Sequence, residues 1–153
     1  MKMYVDGSAH PNPGPGGFGI VICDDNNKLI NWYCEEEEYT TNNIQELKAL
    51  VWAFAYAKLH TSEYFYIYSD SNYAIQTFTS WAKKWKNNGW TKSGGEIKNL
   101  DLIQKGYELF SKLNNCELLK VSGHSEILGN ELADALATGD KKKAIKYLEK
   151  MNE

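Results

Sequence analysis

Twice in this chain an apolar, strand-like run leads into an aspartate, and a helix-length segment separates the two. The first run is Met3-Tyr4-Val5-Asp6, closed by Gly7 and Ser8. The second is Tyr64-Phe65-Tyr66-Ile67-Tyr68, followed by Ser69-Asp70-Ser71. Short apolar runs bounded by turn residues read as buried strands. A strand, a crossover helix and another strand in one sheet make parallel neighbours. Ligands of open α/β sheets gather at the carboxyl ends of such strands. The repeat therefore points to an α/β architecture and puts Asp6 and Asp70, each at or near the end of its strand, on one edge. Gly7 lets the backbone turn or come close to a partner. Taken singly, Asp6 reads as a turn cap and Asp70 as a helix N-cap. Their repetition is what suggests a shared site.

The remaining elements follow from periodicity and turn residues. Asn12-Pro13-Gly14-Pro15-Gly16-Gly17 is a loop, rigid at its prolines and open to close backbone approach at its glycines. Phe18–Cys23 reads as a buried strand and Leu29–Tyr33 as its hairpin return. The acid run Glu35–Glu38 reads as a solvated strand edge. Thr40, Thr41, Asn42 and Asn43 offer N-caps for a helix reaching about His60. Glu46 lies three residues after Asn43, the spacing of a capping box. A short helix over 71–79, a helix over 98–113, a strand at Cys116–Val121 and a helix over Glu126–Thr138 complete the order. The segment 140–153 reads as an additional amphipathic helix. The expected fold is α/β with a five-stranded mixed sheet, three antiparallel strands first and parallel strands after, flanked by helices. At 153 residues, a single domain over 1–153 is expected.

Charge adds a second constraint. The net charge is −3 and every basic residue is a lysine. Yet Lys83, Lys84, Lys86, Lys92 and Lys98 fall within residues 81–98 against the lone acid Glu96, interleaved with Trp81, Trp85 and Trp90. Lysines among indoles suit a phosphate backbone. The alternative is a solvated helix that packs Trp81 and Trp85, four residues apart, onto the domain. Cys23, Cys34 and Cys116 lack metal-ligand spacing and each falls in an expected strand, so they read as reduced, small apolar residues. No membrane-spanning run or signal segment is evident, and a cytoplasmic protein is expected.

Asp134, on the helix over Glu126–Thr138, lies beside its apolar stripe and needs a partner. Asp6, Glu46, Asp70 and Asp134 can meet at one corner, where four carboxylates repel strongly. Divalent cations relieve that, and an all-oxygen donor set favours Mg²⁺ or Mn²⁺. Two ions about 3.5–4 Å apart can clamp the attacking and leaving oxygens of a phosphodiester cleavage. His124, in Ser122-Gly123-His124-Ser125, is by itself an ordinary loop histidine.

The motifs jointly resemble the type 1 ribonuclease H family. They are Asp6-Gly7-Ser8 with Asn12-Pro13-Gly14-Pro15-Gly16-Gly17, then Thr41-Asn42-Asn43-Ile44-Gln45-Glu46-Leu47, then Ser69-Asp70-Ser71, then Gly123-His124 with Gly129-Asn130-Glu131-Leu132-Ala133-Asp134. The resemblance covers roughly residues 3–138 and implies a ribonuclease H-like fold. It also implies an endonuclease that cuts the RNA strand of RNA–DNA hybrids with two Mg²⁺ ions, or Mn²⁺, leaving 5′-phosphate and 3′-hydroxyl ends. Asp6 would bridge the ions, and Asp134 would hold the one beside the attacking water. Glu46 and Asp70 would hold the other, with Glu46 near the 2′-hydroxyls. His124 would carry protons or assist product release. Asn12, Asn42, Asn43 and Asn72 would touch the hybrid's minor-groove edges and backbone, and Thr41 a DNA-strand phosphate. The segment 81–98 resembles the family's basic protrusion, with Trp81, Lys83, Lys84 and Lys86 as substrate contacts. No obligate protein partner and no membrane are implied, and a monomer is expected. Lysine in place of arginine forgoes bidentate phosphate contacts, and Glu35–Glu38 beside Thr41 weakens attraction, so affinity should be modest and salt-sensitive. A resolvase- or integrase-like nuclease sharing the acid cluster, and a non-catalytic nucleic-acid-binding module, are the alternatives.

Overall fold

The computed structural model describes residues 1–121 and 126–153. Its sheet has five strands: β1 (Lys2–Ala9), β2 (Gly14–Cys23), β3 (Leu29–Thr40), β4 (Phe65–Ser69) and β5 (Cys116–Lys120). Their spatial order is β3-β2-β1-β4-β5. β1, β2 and β3 pair antiparallel, while β1 with β4 and β4 with β5 pair parallel. The mixed sheet expected from the element order is thus the one found.

Each face of the sheet carries its own apolar layer. On one side, α1 (Asn42–Leu59) buries Leu47, Leu50 and Phe54 against Met3, Val5, Ile20 and Ile22. α2 (Asn72–Gln76), α3 (Ala82–Asn87) and α4 (Leu100–Phe110) pack behind it through Ala74, Ala82 and Ile103. On the other side, α5 (Leu128–Thr138) sets Leu132, Ala133 and Leu136 against Tyr4, Val21 and Cys23. α6 (Lys141–Met151) covers α5 with Ala144 and Met151, which gives the amphipathic segment 140–153 its place.

Two strand glycines let these layers close. A Cβ on Gly7 would lie 2.3 Å from the Gln45 carbonyl carbon and 2.4 Å from the Glu46 nitrogen, so α1 can rest on β1 only with glycine there. A Cβ on Gly19 would lie 2.6 Å from the Ala133 carbonyl oxygen, the same device for α5 on β2. Asn115 secures the far end of α1. Its side-chain amide donates to the carbonyls of Ala57, His60 and Glu63 at 2.9–3.3 Å, tying the helix end and the turn after it to the residue before β5.

Several boundaries differ from the sequence expectation. β1 continues past Asp6 to Ala9, with Asp6 opposite Gly19 on β2. Its pairing with β4 nevertheless ends at Tyr4–Tyr68. Asp6 therefore lies within its strand but beyond the point where the parallel strands part. The expected helix over 71–79 runs on to residue 87, through a π-helical turn at Thr77–Trp81 between α2 and α3. The hydroxyls of Thr77 and Thr79 donate back to the Tyr73 and Ile75 carbonyls at 2.7 Å, competing with the backbone ladder there. Glu37 is not merely solvated. It pairs with Lys48 and accepts from the buried Gln45 amide at 3.1 Å, while Glu35, Glu36 and Glu38 stay exposed. All three cysteines are free thiols. Among the described residues, no helix is long and apolar enough to cross a membrane.

Candidate active site

Each acid is delivered by a different device. Asp6 is carried by β1 past the end of β4, and the Gly7 amide donates to its Oδ1 at 3.0 Å. The sequence spacing suits Glu46 to a capping box with Asn43. Instead Thr41 is the N-cap of α1, its hydroxyl accepting from the Ile44 amide at 3.1 Å. The cap lies two residues earlier, so the Glu46 carboxylate is released from capping and turned toward β1. Asp70 shows the same substitution of roles. Ser71 caps α2 by accepting from the Ala74 amide at 3.1 Å, and the Asp70 side chain is left for the corner.

The three acids converge. One carboxylate oxygen from each of Asp6, Glu46 and Asp70 lies within 4.8 Å of the others. Asp6 and Glu46 are only 6% and 8% exposed. Asp134, exposed on α5, is not part of this trio, although it helps to raise the Asp6 and Asp70 carboxyls. Burial, then the charges of Glu46 and Asp70, push the Asp6 carboxyl far above the usual carboxylate range. Burial likewise raises Glu46, to about 8, and raises Asp70.

These residues fit a divalent cation. Glu46 Oε2 is buried without a hydrogen-bond partner among the described residues, an expensive state for a carboxylate oxygen. The donors are all carboxylate oxygens, the set that hard divalent ions prefer. Asp6, Glu46 and Asp70 would hold such an ion, with Asp134 beside them.

The other sequence-nominated residues surround this corner in different ways. Asn12 and Asn42 form a lock between the loop after β1 and the start of α1. Asn42 Oδ1 accepts from the Ala9 amide at 2.6 Å, and Asn12 Oδ1 accepts from the Asn42 amide at 3.1 Å. Asn72 is exposed at the start of α2. Asn43 lines a groove of about 490 Å³ with Tyr73, Trp81, Trp85, Lys92 and Lys98. Tyr73–Trp81 and Trp81–Trp85 have ring centroids 6.1 Å apart, so half-buried indoles both pack and form the groove wall. Lys83, Lys84 and Lys86 are exposed on α3, and Lys86 lies over the Tyr107 ring at 5.9 Å. The groove's own lysines are Lys92 and Lys98, and its Tyr73 was not singled out by sequence, although it stands one residue after Asn72. His124 lies outside the described residues.

The ribonuclease H family model matches residues 1–142. A ribonuclease H of Caldanaerobacter subterraneus subsp. tengcongensis is 39% identical over 149 residues, spanning 95% of this chain and 94% of its own. A ribonuclease HI of Rickettsia conorii is 38% identical over 150 residues, spanning 97% and 95%. Among solved structures, the PFV RNase H domain aligns with a TM-score of 0.77 at 23% identity, over 95% of this chain and 94% of that one. LC11-RNase H1, solved in complex with an RNA/DNA hybrid, aligns at 0.67 and 22% identity, over 92% and 97%. The two solved structures share the fold, the two relatives share well over a third of the residues across nearly the whole chain, and the chain belongs to the ribonuclease H family of hydrolytic nucleases.

Proposed function

We propose that this chain cleaves the RNA strand of RNA–DNA hybrids internally, leaving 5′-phosphate and 3′-hydroxyl ends, with two Mg²⁺ ions or Mn²⁺ in their place. The observation that carries the reading is the trio of buried Asp6 and Glu46 with half-buried Asp70, with oxygens within 4.8 Å and a partnerless Glu46 oxygen. Asp6, Glu46, Asp70 and Asp134 hold the ions. When bound, the ions stabilise the charge that develops on the scissile phosphate and its two in-line oxygens.

The chain's own groups do the rest. Glu46, in the first turns of α1, meets a ribose 2′-hydroxyl in this reading, the group that separates RNA from DNA. The Asn12–Asn42 lock holds the rim on which Thr41, Asn42 and Asn43 face the duplex, and Asn72 continues that rim at α2. Trp81, with Trp85 and Tyr73, offers ring faces to the second strand, and Lys83, Lys84 and Lys86 add positive charge along α3. His124 acts as the proton carrier or product-release group. The hybrid bound by LC11-RNase H1 is the ligand class expected here.

The test is a cleavage panel: labelled RNA–DNA hybrid, double-stranded RNA and duplex DNA, each with Mg²⁺ and with chelator. Cutting of the hybrid alone, abolished by chelator, is the expected result. Equal cutting of duplex DNA would assign the chain to a different nuclease chemistry. Binding without cutting would make it a non-catalytic module.

A further inference from the structure

The sequence offers no obvious lysine partner for the four acids, yet the fold supplies a cation beside them. Lys120 is the last residue of β5 and stands opposite Ser69, the last residue of β4. Its Nζ donates to the backbone carbonyl of Asp70. The neighbouring Val121 amide donates to the Ser69 carbonyl at 2.9 Å. Two bonds from the end of β5 thus fasten the tip of β4 at the place where Asp70 leaves the sheet. The ammonium's charge also reaches the Asp70 and Glu46 carboxylates, opposing the effect of their burial. The ion pairs of the described residues do not involve Lys120, so its charge is not spent on a separate partner.

Three crowded carboxylates need a counter-charge when no ion is bound, or they must take up protons. A cation tethered to the adjacent strand meets that need without entering the ion's ligand set. We infer that Lys120 is the built-in counter-ion of the acid corner: it steadies the tip of β4, offsets the carboxylate charge, and sets the repulsion against which divalent cations bind. The inference rests on the reading of the corner as a divalent-cation site.

MnCl₂ alone is the probe. Metal-free protein is titrated calorimetrically as wild type, K120M, K120Q and K120R, and melting is followed with and without Mn²⁺. K120M and K120Q should bind Mn²⁺ about three- to tenfold tighter, as expected for removing one unit charge across partly solvated space. K120R should match wild type. Without the ion, K120M should melt a few degrees lower, and saturating Mn²⁺ should narrow the gap. K120Q keeps a donor for the Asp70 carbonyl but not the charge, and should recover only part of that melting loss. It also carries the affinity measurement if K120M does not fold. Unchanged or weaker Mn²⁺ affinity in the folded neutral variants overturns the counter-ion role. Asp6→Asn separates the two readings, because Mn²⁺ binding equal to wild type there removes the corner as the ion site, whatever Lys120 does.

Discussion

At the acid corner, Asp6 and Glu46 are buried on a strand and a helix and pressed together by packing, with half-buried Asp70 beside them at the end of β4. In the arm over residues 81–98, like charges stand in water on short helical and turn segments. Asp6 and Glu46 sit where a single added methyl on Gly7 would collide with the backbone of α1. In the arm, Gly89, Gly94 and Gly95 have nothing within 4 Å of an added Cβ, although all three take positive φ values that favour glycine. The contrast separates two uses of charge. Burial makes carboxylate repulsion strong and geometry rigid, which suits holding ions and stabilising developing charge. Solvent makes each lysine weak and replaceable, which suits spreading affinity along a phosphate backbone.

The comparison breaks most sharply at Asp6. Asp6→Asn should lower kcat on a hybrid by about a thousandfold or more, the scale of several kcal/mol of charge stabilisation removed. Hybrid affinity, read by fluorescence anisotropy, should change little. If affinity collapsed along with kcat, the corner would be a binding element like the arm.

Gly7→Ala comes next. Crowding between β1 and α1 should cost about 1–3 kcal/mol and displace Glu46, lowering both melting temperature and activity. Gly94→Ala in the arm should carry only the cost of its backbone conformation, about 1–2 kcal/mol, and leave kcat intact. Similar losses of kcat in the two variants would end the claim that rigidity is confined to the corner.

A pH series on metal-free protein sharpens the contrast. The folded-state carboxyls of Asp6, Glu46 and Asp70 are raised, so above the ordinary carboxylate range the native state binds more protons than the unfolded chain. Stability must then fall as pH rises from about 4, the unfolded value. It should keep falling through about 8, the folded value for Glu46. Thermal melts between those limits should decline without metal and flatten with Mg²⁺. A melting temperature that rises across the window would mean the corner is not electrostatically strained.

The smallest effects belong to the arm. Lys83→Ala with Lys84→Ala should raise KM several-fold with kcat nearly unchanged, and should reduce the salt slope by about one for each phosphate left without its lysine. Lys92→Ala with Lys98→Ala tests the groove lysines in the same way. An unchanged KM in both pairs at moderate salt would remove the arm from substrate binding.

How much of this is legible in the sequence varies with distance along the chain. The element order, the mixed sheet and the nomination of Asp6 and Asp70 rest on patterns a few residues long, where periodicity and turn chemistry act. The caps are not legible in the same way, because neighbouring hydroxyls and acids compete for the same helix amides within one turn. Composition alone does not say that Thr41 and Ser71 take that duty and leave Glu46 and Asp70 unused. The run through Thr77 reads as too short because hydroxyl back-bonding disguises a continuous rod.

By itself the sequence determined that this is an α/β chain carrying strand-associated aspartates and a lysine–tryptophan segment, since local periodicity and turn residues dictate strands and helices. Only the tertiary structure decided that the acids meet, that Asp6 lies beyond the parting of β1 and β4, and that Lys120 stands beside them. Those facts depend on register and close packing between segments dozens of residues apart. Such contacts arise from the closure of the whole sheet under its helices, and no local stretch of residues encodes them.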